Sequence, residues 1–311
     1  HNGIIAIGSG AFSGTSLKGE LVLPQNLTVI GNGVFDGCDF SGELKLPETI
    51  RSIGDLAFAY NWRLMGVLEI PEGVLSIGAG AFAHCRSIEG LVFPESLESI
   101  RYEPPYFENG GAFEGCTGLK SIKIPNSVTS IGEHAFSKCE GLKKVEINCA
   151  SVENWFSGLP SIQEVVLGDG VTNIGNSAFE GCKGLKTVIN FSNLTFSKGS
   201  GGNGYVAYYA DKVYNALYGS IEGDFIFGKP NNVNTLLYYL GNATELTLPA
   251  DYNDENYTIG ADVFNGNTTI TSIIIPNSVT SIGDRAFKGC KGLTSIVIPN
   301  SVTSIGNGAF Y

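Results

Sequence analysis

Apolar and polar residues alternate along short stretches of this chain, and most of these stretches end at a proline. In the segment LKSIKIPNSVTSIGEHAFSKC, which starts at Leu119, the apolar residues follow the spacing L-x-x-I-x-I. Residues two apart on a strand face the same side, so Ile122 and Ile124 predict a short strand with one buried face. Pro125 ends that strand, because proline has no N–H to give to the ladder.

The rest of the segment is predicted to turn back and close a coil. Val128 and Ile131 are predicted to point inward, and Gly132 to permit a turn that a Cβ would resist. Ala135 and Phe136 would fill the back of the coil. One such unit cannot bury its apolar side alone, so it has to stack on further copies.

Copies of this unit recur every 23 residues. IPNSVTSIG is repeated unchanged from Ile124, Ile275 and Ile298. The step from Phe58 to Phe82 is 24, and three intervals depart further from 23. They hold an eight-residue insertion near 102–109, a worn repeat around Trp155 and Leu159, and a rewritten Tyr-rich segment at about 187–257. The marker phenylalanines of the unit are Phe12, Phe35, Phe58, Phe82, Phe113, Phe136, Phe179, Phe264, Phe287 and Phe310.

The recurrence predicts one repeat fold for the whole chain rather than two globular domains, because a solenoid has no size limit on its core. We therefore expect a single solenoid over residues 1–311, with ten marked rungs and about three degenerate ones. Its strands would pair about 4.8 Å apart.

The pattern I-P-x-S-V-x-x-I-G-x-x-A-F-x-x-C resembles the BspA-like (Treponema-type) leucine-rich repeats over residues 1–186 and 258–311. The resemblance implies an α/β solenoid, a right-handed coil of 23-residue rungs. It places a parallel β-sheet on the concave face and short helical or irregular turns on the convex face. It also implies secreted or surface proteins that bind host or matrix proteins, with no shared catalytic residues.

Charge narrows the classes of partner. The formal net charge is −11, which argues against nucleic acid, whose phosphates need clustered Lys and Arg. No apolar run is long enough to span a membrane, so we expect no membrane insertion within this fragment. Because the chain begins and stops inside repeats, we expect a trimmed piece, with any signal or anchor outside it, and an extracellular or cell-surface location.

Cysteines fall in one column of the repeat. Six of the seven lie three residues after a marker Phe, a slot that Thr15, Asn61 and Asn267 fill elsewhere. This favours a column of buried free thiols that hydrogen-bond the turn backbone, although Cys116 and Cys139 on neighbouring rungs leave a disulfide open. No C-x-x-C occurs, so no zinc site is predicted. The column comprises Cys38, Cys85, Cys116, Cys139, Cys182 and Cys290, and Cys149 lies off it.

The first candidate partner surface is the set of strand residues that lie between core positions and are predicted to face the concave surface. Five of the nine are Val or Ile, which predicts an exposed apolar patch; the competing explanation is plain strand propensity. The nine residues, called here the predicted column, are Val22, Lys45, Glu69, Val92, Lys123, Glu146, Val166, Ile274 and Val297.

The second candidate surface is the Tyr-rich segment, because tyrosine is common in interfaces. YVAYYADKVYNALYG has apolar residues at helical spacing (Val206, Tyr209, Val213, Leu217), which favours core packing for that part. Tyr252 and Tyr257 lie in polar DYNDENYT and are expected to be exposed. The other candidates are Tyr205 and Tyr238, with Tyr102 and Tyr106 of the insertion.

Motifs that suggest catalysis or a cofactor lack context. GSGGNG (199–204) matches the G-x-G-x-x-G pattern of a dinucleotide-binding motif. A coil of repeats, however, does not provide the doubly wound parallel sheet that such a site needs. His1, His84 and His134 occupy unrelated positions. The acidic loop with Asp251, Asp254 and Glu255 is read as a solvated turn rather than a Ca²⁺ or glycosidase site. We expect no cofactor, metal or catalytic residue.

These observations favour a secreted or surface-displayed, non-enzymatic binding protein for a protein or glycan ligand on a host, matrix or neighbouring cell. The alternative is a structural stalk without its own ligand, which would be evenly polar. A glycan-active enzyme ranks third, since it would need a deep cleft with converging carboxylates.

Overall fold

The computed structural model describes residues 3–101 and 110–311. The chain divides into two compact units, one formed by residues 1–189 with 194–213 and the other by residues 190–193 with 214–311. The predicted insertion at 102–109, with Tyr102 and Tyr106, lies outside the described residues. The single solenoid over residues 1–311 stays a prediction.

The first unit is built from very short strands. Among the described residues, seventeen strands begin within it. In chain order they are β1 (Ala6–Ile7), β2 (Lys18–Gly19), β3 (Val29–Ile30), β4 (Asp39–Glu43), β5 (Ser52–Ile53), β6 (Arg63–Glu69), β7 (Ser76–Ile77), β8 (Ser87–Val92), β9 (Ser99–Ile100), β10 (Ser121–Ile124), β11 (Ser130–Ile131), β12 (Lys144–Ile147), β13 (Ser151–Val152), β14 (Glu164–Leu167), β15 (Asn173–Ile174), β16 (Thr187–Asn190) and β17 (Lys212–Asn215).

These strands form two kinds of parallel sheet. The long sheet has nine strands in the order β17-β16-β14-β12-β10-β8-β6-β4-β2. The short sheet has six strands in the order β1-β3-β5-β7-β9-β11, and β13 pairs with β15 in the same way. Each repeat therefore supplies one strand to the long sheet and one two-residue strand to the short sheet, and the predicted repeat coil is confirmed.

The second unit combines a rewritten part with regular repeats. Strands β18, β19 and β20 pair antiparallel, whereas β20, β22, β24 and β25 pair parallel, and β21 pairs parallel with β23. The strands are β18 (Ser220–Glu222), β19 (Phe225–Gly228), β20 (Thr235–Tyr239), β21 (Glu245–Thr247), β22 (Tyr257–Ile259), β23 (Ser272–Ile274), β24 (Val279–Ile282) and β25 (Ser304–Ile305).

Helix is nearly absent. The described residues contain no α-helix and two 3₁₀ turns, Asn203–Tyr205 and Pro230–Asn232. The helical spacing from Val206 to Leu217 was therefore misleading: Val206 is buried as predicted, but Leu217 is exposed. Val213 falls in strand β17, because pairing along the long sheet overrides a weak local helical pattern.

The marker phenylalanines stack along each unit. Successive rings from Phe12 to Phe136 lie 5.3–5.7 Å apart between centroids. In the second unit the Phe264 ring lies 5.0 Å from Phe287, which lies 5.2 Å from Phe310. Offset ring contacts of this kind stabilise beyond simple area burial. The rings lie in the core of the two units as the sequence predicted, except for Phe12 and Phe310, which are 38% and 44% exposed.

The structure also contains the worn repeat that the sequence predicted around Trp155. Phe156 is fully buried, and its ring centroid lies 5.6 Å from both Phe136 and Phe179. It continues the stack although Trp155 replaces the usual alanine before it. The Trp155 indole N–H donates to the Ile131 carbonyl at 3.0 Å, which satisfies the only polar atom that its larger side chain brings into the core.

The cysteine column hydrogen-bonds the turn backbone, as predicted. The Cys85, Cys116 and Cys139 thiols each donate at 3.2 Å to the carbonyl of the preceding rung's marker phenylalanine. In another rung the Asn61 amide donates to the Phe35 carbonyl at 2.7 Å. All seven cysteines are free, including Cys116 and Cys139. Burial raises the pKa of Cys85 to about 12.

Candidate binding surface

Five residues of the predicted column, Glu69, Val92, Lys123, Glu146 and Val166, lie on one face of the long sheet, called here its outer face. Strand pairing places Glu69 opposite Val92, and Lys123 opposite Glu146, which in turn lies opposite Val166. Alternation explains the arrangement, since residues that flank each column position, such as Leu68 and Ile70, are buried in the core.

Val22 and Lys45 are exposed beyond the ends of β2 and β4, where no strand pairing joins them to these five residues.

Val166 is the exception in the first unit, because it is 4% exposed rather than open to solvent. Its neighbours Val165 and Leu167 belong to the apolar core cluster, whereas Val166 does not. The alternating pattern therefore predicted correctly which face of the sheet Val166 lies on, but not that its side chain is inaccessible to solvent. Whether an outward side chain is covered depends on non-local packing, which a local pattern does not contain.

Ion pairs lie on strands β10, β12 and β14 of this outer face. Lys123 Nζ lies 2.8 Å from Glu146 Oε1, and Lys144 Nζ lies 2.6 Å from Glu164 Oε1. Both pairs join residues that are opposite one another in neighbouring strands. Each charge there already has a partner within the protein, so this end offers little unpaired charge to a ligand.

Apolar side chains are exposed at the other end. Met65, Val67 and Val92 are each 51% exposed. Val67 lies opposite Gly90, where the absent side chain leaves the valine uncovered: a Cβ on Gly90 would lie 3.3 Å from a Val67 γ-carbon. These three residues are called here the apolar patch.

Trp62 precedes β6 and is 54% exposed, with the Arg86 guanidinium 5.7 Å above its ring.

A groove of about 610 Å³ runs beside the apolar patch. Val67, Val92 and Pro71 supply apolar surface, and four glutamates and one lysine supply charge. The charged residues that line it are Glu43, Glu48, Glu69, Glu72 and Lys45, and all five are exposed.

Most of these groove residues were missed by the sequence pattern. Only Lys45, Glu69 and Val92 belong to the predicted column, whereas Val67 and Glu43 lie earlier along their strands. The prediction assumed strands of about three residues. The alternation in RLMGVLE was the available signal, since β6 runs for seven residues and exposes every second side chain.

In the second unit, Ile274 and Val297 are exposed as predicted. Ile274 ends strand β23 and lies opposite Thr247. Val297 lies in a segment that forms no strand in the structure. The two residues keep their predicted exposure, but only Ile274 has a place in a sheet.

Tyr252 and Tyr257 are buried, which corrects the expectation that they are exposed. They are 2% and 1% accessible. The Tyr252 ring stacks on Phe227 at 4.3 Å, and the Tyr257 hydroxyl donates to the Pro249 carbonyl at 2.8 Å. Burial, with Glu222 and Asp251 nearby, raises the pKa of Tyr257. The polar sequence around them describes the exposed turn, whereas the two rings point back into the core.

Tyr205 and Tyr238 are half-buried. Tyr205 packs edge-on to Tyr208 at 5.4 Å, and Tyr238 lies 4.8 Å from Tyr214. The exposed tyrosines of this segment are instead Tyr208 and Tyr218. Burial raises the pKa of Tyr238.

The glycine-rich segment 199–204 continues the coil. The Gly204 carbonyl accepts from the Phe179 amide at 2.8 Å, the place that an alanine carbonyl takes in regular rungs, as Ala135 does for Phe113. A Cβ on Gly204 would overlap the Gly175 carbonyl oxygen. This glycine is therefore explained by contact between rungs.

Groups with metal-ligating or acid–base chemistry are dispersed. Within residues 3–101 and 110–311 no three His, Cys, Asp or Glu side chains lie together as a metal site would require. The His84 ring stacks on Tyr60 at 4.9 Å, whereas His134 Nδ1 lies 3.1 Å from the Ser137 hydroxyl.

In the acidic turn, Asp251 accepts from the Asp254 amide, and Glu255 accepts from Asn234 at 2.7 Å. Burial and the nearby Asp251 raise the pKa of Glu222.

The comparison with known protein families matches the repeats of this chain. The model of the BspA-type leucine-rich-repeat region, in six copies, matches residues 1–110, 109–200 and 233–311. The chain belongs to this family. The match includes most of the regular rungs and stops within the rewritten segment.

Several solved structures are similar to this BspA-type repeat protein. A leucine-rich-repeat protein from Bacteroides ovatus is 24% identical, with 99% of this chain and 75% of that chain covered and a TM-score of 0.45. A leucine-rich cell surface protein from Faecalibacterium prausnitzii is 23% identical over 94% of this chain and 76% of that one, with a TM-score of 0.43. The pneumococcal vaccine antigen PcpA is 17% identical over 94% and 71%, with a TM-score of 0.34. No curated protein matches the chain.

None of the helices among the described residues has the length and hydropathy needed to cross a bilayer.

Proposed function

We propose that this chain is a non-enzymatic binding module, secreted or displayed on a bacterial surface, that recognises a host or matrix protein or a glycan. The outer face of the long sheet would be its binding surface. The observation that carries the proposal is the apolar patch, in which Met65, Val67 and Val92 stay half exposed on adjacent strands. Clustered exposed apolar side chains are typical of interaction sites.

The stalk alternative fits this surface less well, because a spacer would gain from an evenly polar face. The enzyme alternative is also less well supported. A carboxyl group that acts as a general acid is held out of water, whereas Glu43, Glu48, Glu69 and Glu72 are all exposed in the groove. Family membership supports a repeat scaffold that presents a surface.

The test is capture of purified matrix proteins and arrayed glycans by the immobilised chain. We expect the double variant Val67→Asn/Val92→Asn to lose capture by at least tenfold, because two polar amides would interrupt the apolar patch without changing its charge. The matched control is Val29→Asn/Leu75→Asn, which alters two exposed residues, 39% and 51% accessible, away from this face. The control should bind like the unmodified chain.

Three outcomes contradict the proposal. Capture that is equal in both double variants would place binding elsewhere, and absence of any capture by the unmodified chain would favour the stalk. Hydrolysis of an arrayed glycan would favour the enzyme. Lys123, Ile274, Val297, Tyr205 and Tyr238 stay predictions that single alanine variants in the same assay would examine.

A further inference from the structure

Among the described residues, carboxylates on the outer face form ion pairs with lysines on strands β10–β14 but not on strands β4–β8. At the β10–β14 end the carboxylates of Glu146 and Glu164 are each held by a lysine at 2.8 and 2.6 Å. At the β4–β8 end Glu43 and Glu69 form no ion pair with any residue in 3–101 or 110–311. The same sheet thus carries neutralised carboxylates at one end and free ones at the other.

The free carboxylates surround the apolar patch. Glu43 lies over Gly66, whose Cβ, if present, would be 3.1 Å from the Glu43 γ-carbon. The register between β6 and β8 shifts at Gly66 and Val67, so this is an irregular place in an otherwise regular sheet. Bulges of this kind re-aim side chains and are common at functional sites.

The cations near the groove do not neutralise it. Lys45 forms no ion pair within the described chain. The Arg51 guanidinium donates to the carbonyls of Glu48, Ile50 and Glu72, at 2.8, 2.8 and 3.3 Å, and so is held by backbone rather than by a carboxylate. Four carboxylates against two cations leave the groove acidic.

From this arrangement we propose, building on the proposed function, that the groove binds an extended cationic segment of a partner protein. Lys or Arg side chains would lie against Glu43 and Glu69, and an aliphatic residue between them would cover Val67 and Val92. The charge of the groove selects this occupant: an acidic peptide or a sulfated glycan would meet repulsion, and a neutral glycan would leave the carboxylates unpaired.

The probe is a fluorescent, end-capped octapeptide in which Lys alternates with Val, measured by anisotropy at 20 and 300 mM NaCl. Its counterpart with Glu in place of Lys is the charge control. We expect the Lys–Val peptide to bind at least tenfold more tightly than the Glu–Val peptide. Binding should weaken at the higher salt, because exposed charges are screened there.

Matched variants localise the effect. Glu43→Gln/Glu69→Gln should weaken the Lys–Val peptide about 5- to 10-fold, as two exposed ion pairs would account for. Glu140→Gln/Glu180→Gln removes the same formal charge from two exposed glutamates that lie in turns outside the long sheet, and should leave binding unchanged. Circular dichroism and urea midpoints would verify that both variants fold.

Equal loss in both variants would show attraction to net charge alone and overturn the proposal, as would similar affinity for the two peptides. If Val67→Asn/Val92→Asn abolishes matrix-protein or glycan capture while Glu43→Gln/Glu69→Gln does not change it, the binding function stands and the cationic partner is wrong. Failure of every capture experiment would instead remove the function itself.

Discussion

At the scale of single residues, the repeat works because each position performs one physical task in every rung. A phenylalanine fills the core, and three residues later a small polar side chain satisfies a carbonyl. Thr15, Cys85 and Asn61 all donate to the carbonyl of a marker phenylalanine, although their chemistry differs. The slot therefore selects size and a donor, since an unsatisfied buried carbonyl is costly.

Replacing the Phe136 side chain with a methyl group should empty a fully buried position between two stacked rings. We expect Phe136→Ala to lower the free energy of unfolding by about 3–5 kcal/mol. Phe12→Ala is the matched control, because Phe12 has the same place in its rung but is 38% exposed. Urea unfolding measures both, and a loss below about 1 kcal/mol for Phe136→Ala would contradict core packing.

The buried thiol of Cys85 should make stability depend on alkaline pH. Burial raises its pKa from 9.0 to about 12, so only the unfolded chain loses this proton between those values. The contribution is complete below about pH 9 and declines by roughly 1.4 kcal/mol per pH unit above it, until the folded thiol also ionises.

Urea unfolding of the unmodified chain and of Cys85→Ala at pH 8 and pH 10.5 measures this term. The difference in unfolding free energy between the two proteins should shrink at the higher pH, because the variant has no thiol to ionise there. A constant difference would mean that the Cys85 thiol ionises equally in the folded and unfolded chains.

At the scale of the element, rungs approach one another closely where the strands of the short sheet end. Glycine follows five of these six strands, and Arg101 follows β9. The prediction that this glycine serves a turn was incomplete. Gly54 has no left-handed backbone, but a Cβ there would lie 2.6 Å from the Gly31 carbonyl carbon and 2.7 Å from the Asn32 nitrogen. The glycine column permits contact between successive rungs.

Gly54→Ala should therefore destabilise the first unit by about 1–3 kcal/mol, since backbone atoms cannot move aside easily. Gly8→Ala provides the comparison, because Gly8 follows the strand of the first rung and nothing lies within 4 Å of its absent Cβ. Thermal unfolding should separate the two variants clearly. Equal melting temperatures would remove the rung-contact explanation.

At the scale of the molecule, the distribution of charge decides which partners approach. The chain has 30 acidic against 19 basic Lys and Arg residues, and the groove of the first unit is acidic as well. Long-range attraction should therefore favour cationic ligands and oppose polyanions. Net charge affects association with partners rather than the fold, because it does not specify the repeat.

The protein should consequently pass through a heparin column without retention at pH 7.5 and 20 mM NaCl, because like charges repel at low ionic strength. A polylysine column of the same matrix should retain it and release it as salt rises. Retention on heparin would reveal a basic patch that the charge distribution does not predict.

The sequence by itself determined the rung, because period, core spacing and turn residues are local properties repeated ten times. It placed the Phe136 stack, the Cys85 slot and the strand from Ile122 to Ile124 correctly. It even located the worn repeat at Trp155, where spacing and composition had both drifted.

Only the tertiary structure decided which side chains are accessible. Tyr252 and Tyr257 are buried against Phe227, a residue distant in sequence, whereas Val67 is exposed because it lies opposite Gly90. Ion pairing follows the same rule, because Glu146 meets Lys123 only through strand register, while Glu69 meets Val92. A periodic sequence fixes the direction of each side chain, but its neighbours across the rungs determine what that side chain can bind.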